Sequence, residues 1–335
     1  MANQRKHPDR RLTVAPMMDC TDRYDRAFLR CATKRTLLYT EMVVAEAVIH
    51  GNRERLLGFD ADEHPLALQL GGSDPGSLAE ASRIAEGFGY DEINLNVGCP
   101  SNRVKAGRFG ACLMAEPDLV ACCISAMRKA VGVPVTVKCR IGIDDMDDEE
   151  TLPSFIAEIA ETGCKSFTVH ARKAWLQGLS PKENREIPPL RYDVVYAAQQ
   201  RFPDLEIIIN GGIPDLDVAL DHLRHVDGVM LGRAAYHTPH VLAEADSRIF
   251  GDDSKSVSRR AMVEAYLPYL EQQLGQGVPL HSMTRHMLGL YQGLPGARAW
   301  RRHLSTMALK PGAGIRVVEE ALAFVEPDQD LAKAG

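Results

Sequence analysis

The feature of this sequence that most constrains its fold is a regular alternation of short apolar runs with longer segments of helical character. The runs have the length and composition of buried β-strands, and turn residues lie beside most of them. Eight strands are predicted, at 12–16, 37–41, 65–70, 91–97, 134–140, 166–170, 206–210 and 228–231. Helices are predicted between them, among others at 75–88, 116–131, 149–162, 192–201 and 216–225.

Eight strands with a helix after most of them predict an α/β protein whose parallel sheet closes into a (β/α)₈ or TIM barrel. An open doubly wound sheet is the alternative fold, but no Gly-x-Gly-x-x-Gly follows the first strand. After a polar linker at 254–258, the sequence from 261 to 324 is typical of helices with breaks at Gly and Pro. We therefore expect a barrel domain over residues 1–253 and a small all-helical C-terminal domain over residues 254–335.

Composition limits the environment in which this chain works. Its eight cysteines show no Cys-x-x-Cys spacing and no metal-type cluster, so we expect reduced thiols, a cytoplasmic location and no bound metal. No apolar run approaches the ~18 residues of a membrane span. Residues 1–11 are polar and basic without the apolar core of a signal peptide, and we expect a frayed terminus. The net charge of -6 argues against indiscriminate nucleic-acid binding but permits a local basic face.

The fourth predicted strand ends in a turn that carries a candidate catalytic residue. Apolar residues alternate there with Asn94 and Asn96, and a Gly-Cys-Pro-Ser turn follows, so Cys99 should project from the carboxyl end of the strand. The next loop carries three cations, Arg103, Lys105 and Arg108. Such a loop suits an anionic ligand. An isolated Cys-Pro is more often a buried structural thiol, so the rest of the sequence must decide the function of Cys99.

Polar residues recur at the carboxyl ends of the predicted strands. They are Gln69, Asn96, Cys99, Lys138, Arg140, His170 and Asn210. In a barrel these ends form the one face on which active sites are built. Their recurrence on five strands therefore predicts a functional site there.

Two glycine-rich turns indicate what this site binds. Asn210-Gly211-Gly212 follows the seventh strand and Gly232-Arg233 follows the eighth, where barrels commonly bind phosphate through backbone amides. Lys138 could lie as a cation beside an electron-accepting ring, and the amide of Gln69 could hydrogen-bond the edge of that ring. Flavin mononucleotide (FMN) has one phosphate and one such ring. A sugar-phosphate substrate also fits the phosphate site but explains Gln69 and Lys138 less well.

These motifs resemble those of the tRNA-dihydrouridine synthases, in order from about residue 11 to beyond residue 300. The segments that carry the resemblance are 15–19, 95–101 and 107–111, together with Lys138, His170, 210–212 and 232–233. The segments 182–191 and 298–302 resemble the A-type branch of that family. The resemblance implies an FMN-bearing barrel with a small helical C-terminal domain, NADPH as reductant and a tRNA substrate, reduced at D-loop positions 20 and 20a. By match, the flavin would be held by Pro16, Met17, Met18, Gln69, Lys138, His170, Asn210, Gly211, Gly212, Gly232 and Arg233.

The chemistry implied by this resemblance needs a hydride at one carbon of the uracil C5–C6 bond and a proton at the other. Reduced flavin would deliver the hydride to C6, and we assign Cys99 as the acid that protonates C5. A thiol with an ordinary pKa of about 8.5 is mostly protonated at neutral pH. Asn96, Lys138 and His170 are candidate donors to a uracil carbonyl, although the resemblance favours a contact of His170 with the flavin phosphate. Asp19 and Glu41 receive no role.

A uridine in folded RNA must leave its stack to reach a flavin, and this requires a surface that holds the surrounding phosphates. From 281 to 318 the chain has no Asp or Glu, yet it has Arg285, Arg298, Arg301, Arg302, Lys310 and Arg316. Helical spacing places Arg298, Arg301 and Arg302 on one surface of a helix. The expected tRNA-binding residues are Asn96, Lys182, Arg185, Arg298 and Arg301.

Two other functions remain open. A flavin barrel that acts on a free small pyrimidine would have no use for the acid-free C-terminal segment. A non-catalytic RNA-binding protein would be colourless and would bind RNA without Cys99. We expect a monomer.

Overall fold

The structure is a computed structural model that describes residues 7–101, 104, 107–253 and 255–326. Eight parallel strands close into a barrel in which each strand pairs with the next and the eighth pairs with the first. They are β1 Leu12–Val14, β2 Leu37–Val44, β3 Leu66–Gly71, β4 Glu92–Val97, β5 Val135–Arg140, β6 Ser166–His170, β7 Glu206–Asn210 and β8 Gly228–Leu231. The predicted TIM barrel is confirmed. The loop cations Arg103 and Lys105 lie outside the described residues.

Helices follow most of the strands, as the sequence pattern predicts. In chain order the α-helices are α1 Arg23–Arg30, α2 Ala45–His50, α3 Arg53–Leu57, α4 Pro75–Phe88, α5 Pro117–Ala130, α6 Asp148–Ala160, α7 Tyr192–Arg201, α8 Leu216–His222, α9 Arg233–His237, α10 Ala245–Arg248, α11 Arg259–Gly275, α12 Leu280–Thr284, α13 Ala297–Met307 and α14 Arg316–Leu322. Short 3₁₀ helices lie at Ala61–Glu63, Gly110–Ala115, Glu183–Arg185, Pro239–Leu242 and Arg285–Met287.

Helix α4 shows how local sequence sets these boundaries. The side chain of Asp74 accepts a hydrogen bond from the backbone N–H of Ser77, and Pro75 occupies the first turn, where its missing N–H has no consequence. Gly89 ends the helix in the left-handed conformation, which glycine adopts without steric cost. The predicted helix at 75–88 is therefore confirmed to the residue.

The interior of the barrel is apolar on one side and polar on the other. The apolar side is a cluster formed by Ala15, Leu37, Tyr39, Ala67, Ile208 and Met230. On the polar side, Asn94 pairs in register with Thr136 and Asn96 pairs with Lys138. Because alternate residues of a strand face opposite sides, the polar residues of β4 and β5 share one face. That face runs from the amino ends of the strands to their carboxyl ends.

The chain divides into two compact units. Met1–Asp19 and Thr36–Gly232 form the barrel unit, and Cys20–Arg35 and Arg233–Gly335 form the helical unit. The helical unit thus includes α1, which the sequence analysis did not predict as a helix. The functional boundary between residues 253 and 254 remains a prediction.

Aromatic and charged contacts join α1 to the later helices of the helical unit. The rings of Phe28 and Tyr266 lie 5.1 Å apart, and the hydroxyl of Tyr266 donates to the carbonyl of Tyr24 at 2.9 Å. The imidazole of His286 is buried, with Nε2 3.1 Å from a carboxylate oxygen of Asp22. These contacts make α1 part of the core of this unit.

Residues 1–6 of the predicted frayed terminus lie outside the described residues, and the remainder, 7–11, includes a residue that is held in place. Arg10 lies within the predicted frayed terminus, but its side chain is buried and pairs with Glu92 at 2.6 Å. Within the part of the chain that the structure describes, no helix combines the length and apolar character needed to cross a bilayer. Among the same residues, no group of three or more His, Cys, Asp or Glu is arranged to hold a metal ion.

Candidate active site

Cys99 lies at the carboxyl end of β4, where two side chains shape its turn. The side-chain oxygen of Asn96 accepts the backbone N–H of Gly98 at 3.1 Å and that of Cys99 at 3.0 Å. The guanidinium of Arg140 donates to the carbonyl of Gly98 at 3.0 Å. Cys99 is half-buried and its thiol is free, unlike Cys139, whose burial raises its pKa to about 12. A thiol at this depth has the exposure that a reacting group needs.

The glycine downstream of the cysteine is required by a close backbone approach. Gly110 has φ +75°, and a Cβ built on it would lie 2.6 Å from the carbonyl oxygen of Cys99. The backbone N–H of Ala111 donates to that same oxygen at 2.9 Å. The segment 109–111 therefore closes against the cysteine turn, and only glycine fits at position 110.

A partly buried cation, Lys138, lies on β5 in register with Asn96. The Nζ of Lys138 donates to the side-chain oxygen of Asn210 at 3.0 Å, and Asn210 in turn donates to the carbonyl of Met230 at 2.7 Å. Burial, together with the charge of Arg140, lowers the pKa of Lys138 to about 8. Among the described residues, neither Lys138 nor Arg140 forms an ion pair with a carboxylate. The site therefore carries positive charge that a bound anion can neutralise.

His170, at the end of β6, has an unpaired ring nitrogen. Its Nδ1 is buried and has no hydrogen-bond partner among the described residues. Burial lowers the pKa of His170 well below its usual range, and the charges of Arg140, Lys138, Arg172 and Arg185 lower it further. The imidazole is therefore neutral at pH 7. A buried polar atom without a partner at a cationic site points to a ligand.

The Gly-Gly turn after β7 lies against this histidine. A Cβ on Gly211 would lie 3.1 Å from Leu190 and 3.3 Å from the His170 ring. A Cβ on Gly212 would lie 2.6 Å from Leu190 and 2.9 Å from the hydroxyl of Tyr192. Both glycines have positive φ, of +116° and +72°. This geometry excludes side chains, as the predicted phosphate-binding turn requires.

Arg140 and Asn184 connect the cysteine turn to the loop after β6. The sequence pattern placed Arg140 at the predicted functional face without an individual role, and Asn184 received none. Arg140 donates to the backbone carbonyls of Lys173 at 3.0 Å and Asn184 at 2.9 Å. Asn184 is fully buried, and its side chain exchanges hydrogen bonds with the backbone of Trp175. The predicted tRNA-binding residues Lys182 and Arg185 are exposed beside it. Arg140 and Asn184 therefore set the shape of the loop that presents these two cations.

The remaining predicted flavin residues lie near the ends of β1, β3 and β8. Pro16 and Met17 are partly buried after β1, and Met18 is exposed. Gln69 is buried on β3, where its Nε2 donates to Asn94 and its Oε1 accepts from Asn96. Gly232 follows β8, and Arg233 begins α9, which belongs to the helical unit.

Asp19 and Glu41, which have no predicted role, are joined to each other. The backbone N–H of Asp19 donates to a carboxylate oxygen of Glu41 at 2.5 Å. Asp19 has φ +61°, so this bond holds a turn in the left-handed region. The pair therefore has a structural role at the end of the segment after β1.

Helix α13 of the helical unit presents the predicted basic surface. Trp300 and Leu304 are buried, whereas Arg298, Arg301 and Arg302 are exposed. Among the described residues, none of these three arginines has an ion-pair partner. Arg285, by contrast, pairs with Asp22 at 2.6 Å, so the acid-free segment meets an acid brought to it by α1. The exposed arginines of α13 are available to an anionic partner, and Lys310 and Arg316 of the same segment are exposed as well.

Together, the carboxyl ends of the strands define a class of protein, a barrel enzyme with a half-exposed thiol beside a cationic site for an anionic ligand. The family model described as dihydrouridine synthase (Dus) matches residues 13–326, and the chain belongs to that family. A tRNA-dihydrouridine(20/20a) synthase of Vibrio cholerae serotype O1 is 58% identical over 322 residues, which are 96% of this chain and 98% of the relative. Proteins of the same name from Yersinia pestis and Synechocystis sp. are each 57% identical, over 97% and 93% of this chain and 94% and 93% of the relatives.

Proposed function

We propose that this protein is an FMN-dependent, NADPH-driven enzyme that reduces the C5–C6 double bond of uridine at positions 20 and 20a of the tRNA D-loop. Membership of the dihydrouridine synthase family and the name shared by its relatives support the substrate. The observation that carries the chemistry is the free, half-exposed thiol of Cys99 at the carboxyl face of the barrel, within electrostatic reach of Lys138 and Arg140.

The residues at this face fit a flavin phosphate and ring. In the part of the chain that the structure describes, Nδ1 of His170 has no hydrogen-bond partner and no carboxylate pairs with Lys138. These two groups and the glycine cradle of Gly211 and Gly212 suit an anionic group. Pro16, Met17, Met18, Gln69, Asn210, Gly232 and Arg233 complete the proposed flavin residues. When bound, FMN reduced by NADPH supplies the hydride for C6.

The proposed role of Cys99 is to donate its proton to C5, which leaves a thiolate. A negative charge on Cys99 raises the pKa of both Lys138 and Arg140, so these two cations lie within electrostatic reach of the sulfur. Lys138, with a pKa of about 8, is charged at pH 7 and can also stabilise negative charge that develops on the uracil. Because Cys99 is half-exposed, solvent can return its proton after release of the product.

The proposed tRNA contacts come from both units. In the barrel unit they are Asn96, Lys182 and Arg185, and in the helical unit they are Arg298 and Arg301 on the exposed side of α13. The four cations among them would hold phosphates while the target base is turned out of its stack. We further propose that the protein acts as a cytoplasmic monomer, which size-exclusion chromatography tests.

The test is Cys99→Ala, assayed on tRNA from cells that lack this protein. We expect the yellow colour and tRNA binding to remain, while dihydrouridine formation, measured by mass spectrometry, falls by about 10²–10⁴-fold. Cys112→Ala, at another partly buried free cysteine of the barrel unit, is the control and should retain activity. Full turnover by Cys99→Ala would refute the acid role.

The colour of the purified protein and an assay on free uridine distinguish the other two functions. A colourless protein that binds tRNA would favour the non-catalytic RNA-binding alternative. Turnover of free uridine as fast as tRNA would favour the alternative that acts on a small pyrimidine.

A further inference from the structure

A buried chain of hydrogen bonds connects the carboxylate of Glu92 to the backbone of Cys99. We propose that Glu92, through Thr136 and Asn94, fixes which end of each side-chain amide faces its neighbour and so positions Gln69, Asn96 and the cysteine turn. Glu92, Thr136 and Asn94 are thus positioning residues. Their effect on turnover rests on the function proposed above, whereas their effect on structure does not.

The chain begins at a group that can only accept hydrogen bonds. Glu92 is fully buried and its carboxylate accepts from Arg10 at 2.6 Å, from the hydroxyl of Tyr39 at 2.5 Å and from the hydroxyl of Thr136 at 2.6 Å. Burial and the charge of Glu92 raise the pKa of Tyr39 well above its usual value, so this hydroxyl keeps its proton and donates it. An ionised carboxylate has no proton to give, so the hydroxyl of Thr136 must point its hydrogen toward Glu92.

The direction of that first bond determines the next three. The oxygen of Thr136 is left as an acceptor, so Asn94 must present its NH₂ group, which lies 2.8 Å away. The oxygen of Asn94 then faces Gln69, which must present its own NH₂ group, at 2.8 Å. The oxygen of Gln69 in turn accepts from the NH₂ group of Asn96 at 2.7 Å. Reversal of any one amide would place two NH₂ groups or two oxygens against each other.

The chain ends at the cysteine turn. Once Asn96 gives its NH₂ group to Gln69, its oxygen faces the backbone, where it accepts the N–H groups of Gly98 and Cys99. All donors therefore point away from Cys99 and toward Glu92. Hydrogen bonds aligned in one direction strengthen one another, and a buried anion at the accepting end adds to this effect.

This order also fixes what the site can offer a ligand. The oxygen of Asn96 has both acceptor positions filled, so one amide N–H is its remaining hydrogen-bonding group. Gln69 likewise retains one N–H, together with one acceptor position. Asn96 is therefore a donor and never an acceptor at this site, which suits a carbonyl oxygen of a flavin or of a base.

The test compares Thr136→Val, which keeps the shape but removes the hydroxyl, with Thr136→Ser, which keeps the hydroxyl. Thr13→Val is the matched control, because Thr13 is also buried in a barrel strand and its hydroxyl has no hydrogen-bond partner among the described residues. One readout is the rate at which iodoacetamide alkylates Cys99 in the FMN-free protein, followed by peptide mass spectrometry. The others are the absorption spectrum of bound FMN, kcat and the KM for tRNA.

For Thr136→Val we expect the alkylation rate to change at least threefold, the flavin absorption bands to shift and kcat to fall about 10–100-fold, with the KM for tRNA within twofold. Thr136→Ser should recover most of each change, and Thr13→Val should match the wild type. Identical behaviour of Thr136→Val and Thr13→Val, or no recovery in Thr136→Ser, would overturn the proposal.

Neutron diffraction from the wild-type protein gives a test that no folding defect can obscure. It distinguishes the oxygen from the deuterated nitrogen of each amide, and we expect the NH₂ group of Gln69 to face Asn94. The reversed amide would overturn the proposal. Neither the alkylation rate nor the amide orientation requires tRNA, so a wild-type protein that forms no dihydrouridine would refute the proposed function alone.

Discussion

Two adjacent arginines give a direct test of how burial sets the strength of an ion pair in this barrel. Arg10 lies 2.6 Å from Glu92 with side-chain exposures of 7% and 0%. Arg11 lies 2.6 Å from Asp9 with exposures of 45% and 34%. The two pairs have the same length, and their arginines are adjacent in the sequence. Replacement of each arginine by Met therefore compares a buried arginine, which also pairs with Glu206 at 2.9 Å, with an exposed one.

We expect Arg10→Met to lower the free energy of unfolding by about 3 kcal/mol. Removal of one partner of a buried pair costs about 3–5 kcal/mol, because the other charge stays buried. The lower end applies here because Glu92 retains hydrogen bonds from Tyr39 and Thr136, and bonds to a charged group contribute about 1.5–3 kcal/mol each. Arg11→Met should cost about 0–1 kcal/mol, as is usual for an exposed pair.

Equilibrium urea unfolding, followed by circular dichroism in saturating FMN, measures both variants. The double variant Arg10→Met/Glu92→Gln should be more stable than Arg10→Met, because the second change removes the unpaired buried charge. Equal losses from Arg10→Met and Arg11→Met would refute the reasoning, as would a double variant less stable than Arg10→Met.

Three further predictions concern the site and the basic helix. The pKa of Lys138 is about 8 in the folded protein and 10.5 in the unfolded chain. Below pH 8 the folded state therefore carries a charge that lowers its stability. This loss of stability disappears as the pH rises from about 8 to 10.5. Lys138→Met should therefore stabilise the FMN-free protein at pH 7 by up to about 3 kcal/mol but weaken FMN binding, and a less stable variant in urea unfolding would contradict this. Gly212→Ala should weaken FMN binding, measured by titration, at least tenfold. The control Gly178→Ala should not, because Gly178 also has a positive φ, +81°, but no atom lies within 4 Å of the added Cβ. Equal effects of the two changes would mean that backbone strain alone causes the loss. Arg301→Ala should reduce tRNA affinity and lower the slope of log K against log salt by about one. Arg260→Ala is the control, because Arg260 is paired with Glu264. Equal slopes for the two variants would exclude a phosphate contact by Arg301.

Most of the barrel was predictable because its strands are apolar runs bounded by turn residues. The predicted strands at 166–170, 206–210 and 228–231 agree with the structure to the residue. Helix α1 was missed for a physical reason. Its inward side carries Asp25, Arg26 and Arg30, which are buried because the helical unit supplies their partners. A hydrophobic pattern cannot reveal a helix whose buried side is charged.

The site was predicted in its location but not in its connections. The sequence placed Cys99, Lys138, His170 and Asn210 at strand ends, since that follows from the strand boundaries alone. It gave no role to Glu92 or Thr136, although alternate polar residues on β4 and β5 were a signal that one face of each strand is lined with hydrogen-bonding groups. Which end of a side-chain amide faces its neighbour depends on a partner far away in the sequence. Gln69 and Asn94, for example, are 25 residues apart. Sequence periodicity contains no such information.

The membership of α1 in the helical unit has a consequence for synthesis on the ribosome. Tyr24 emerges 242 residues before Tyr266, and the hydroxyl of Tyr266 donates a hydrogen bond to the backbone carbonyl of Tyr24. At 5–20 residues per second this interval lasts about 12–50 seconds, during which Phe28 is without its aromatic neighbour. The nascent chain thus carries the buried residues of α1, Phe28 among them, without the later helices for most of translation. A chaperone that binds exposed nascent segments would encounter this one well before the last helices are made.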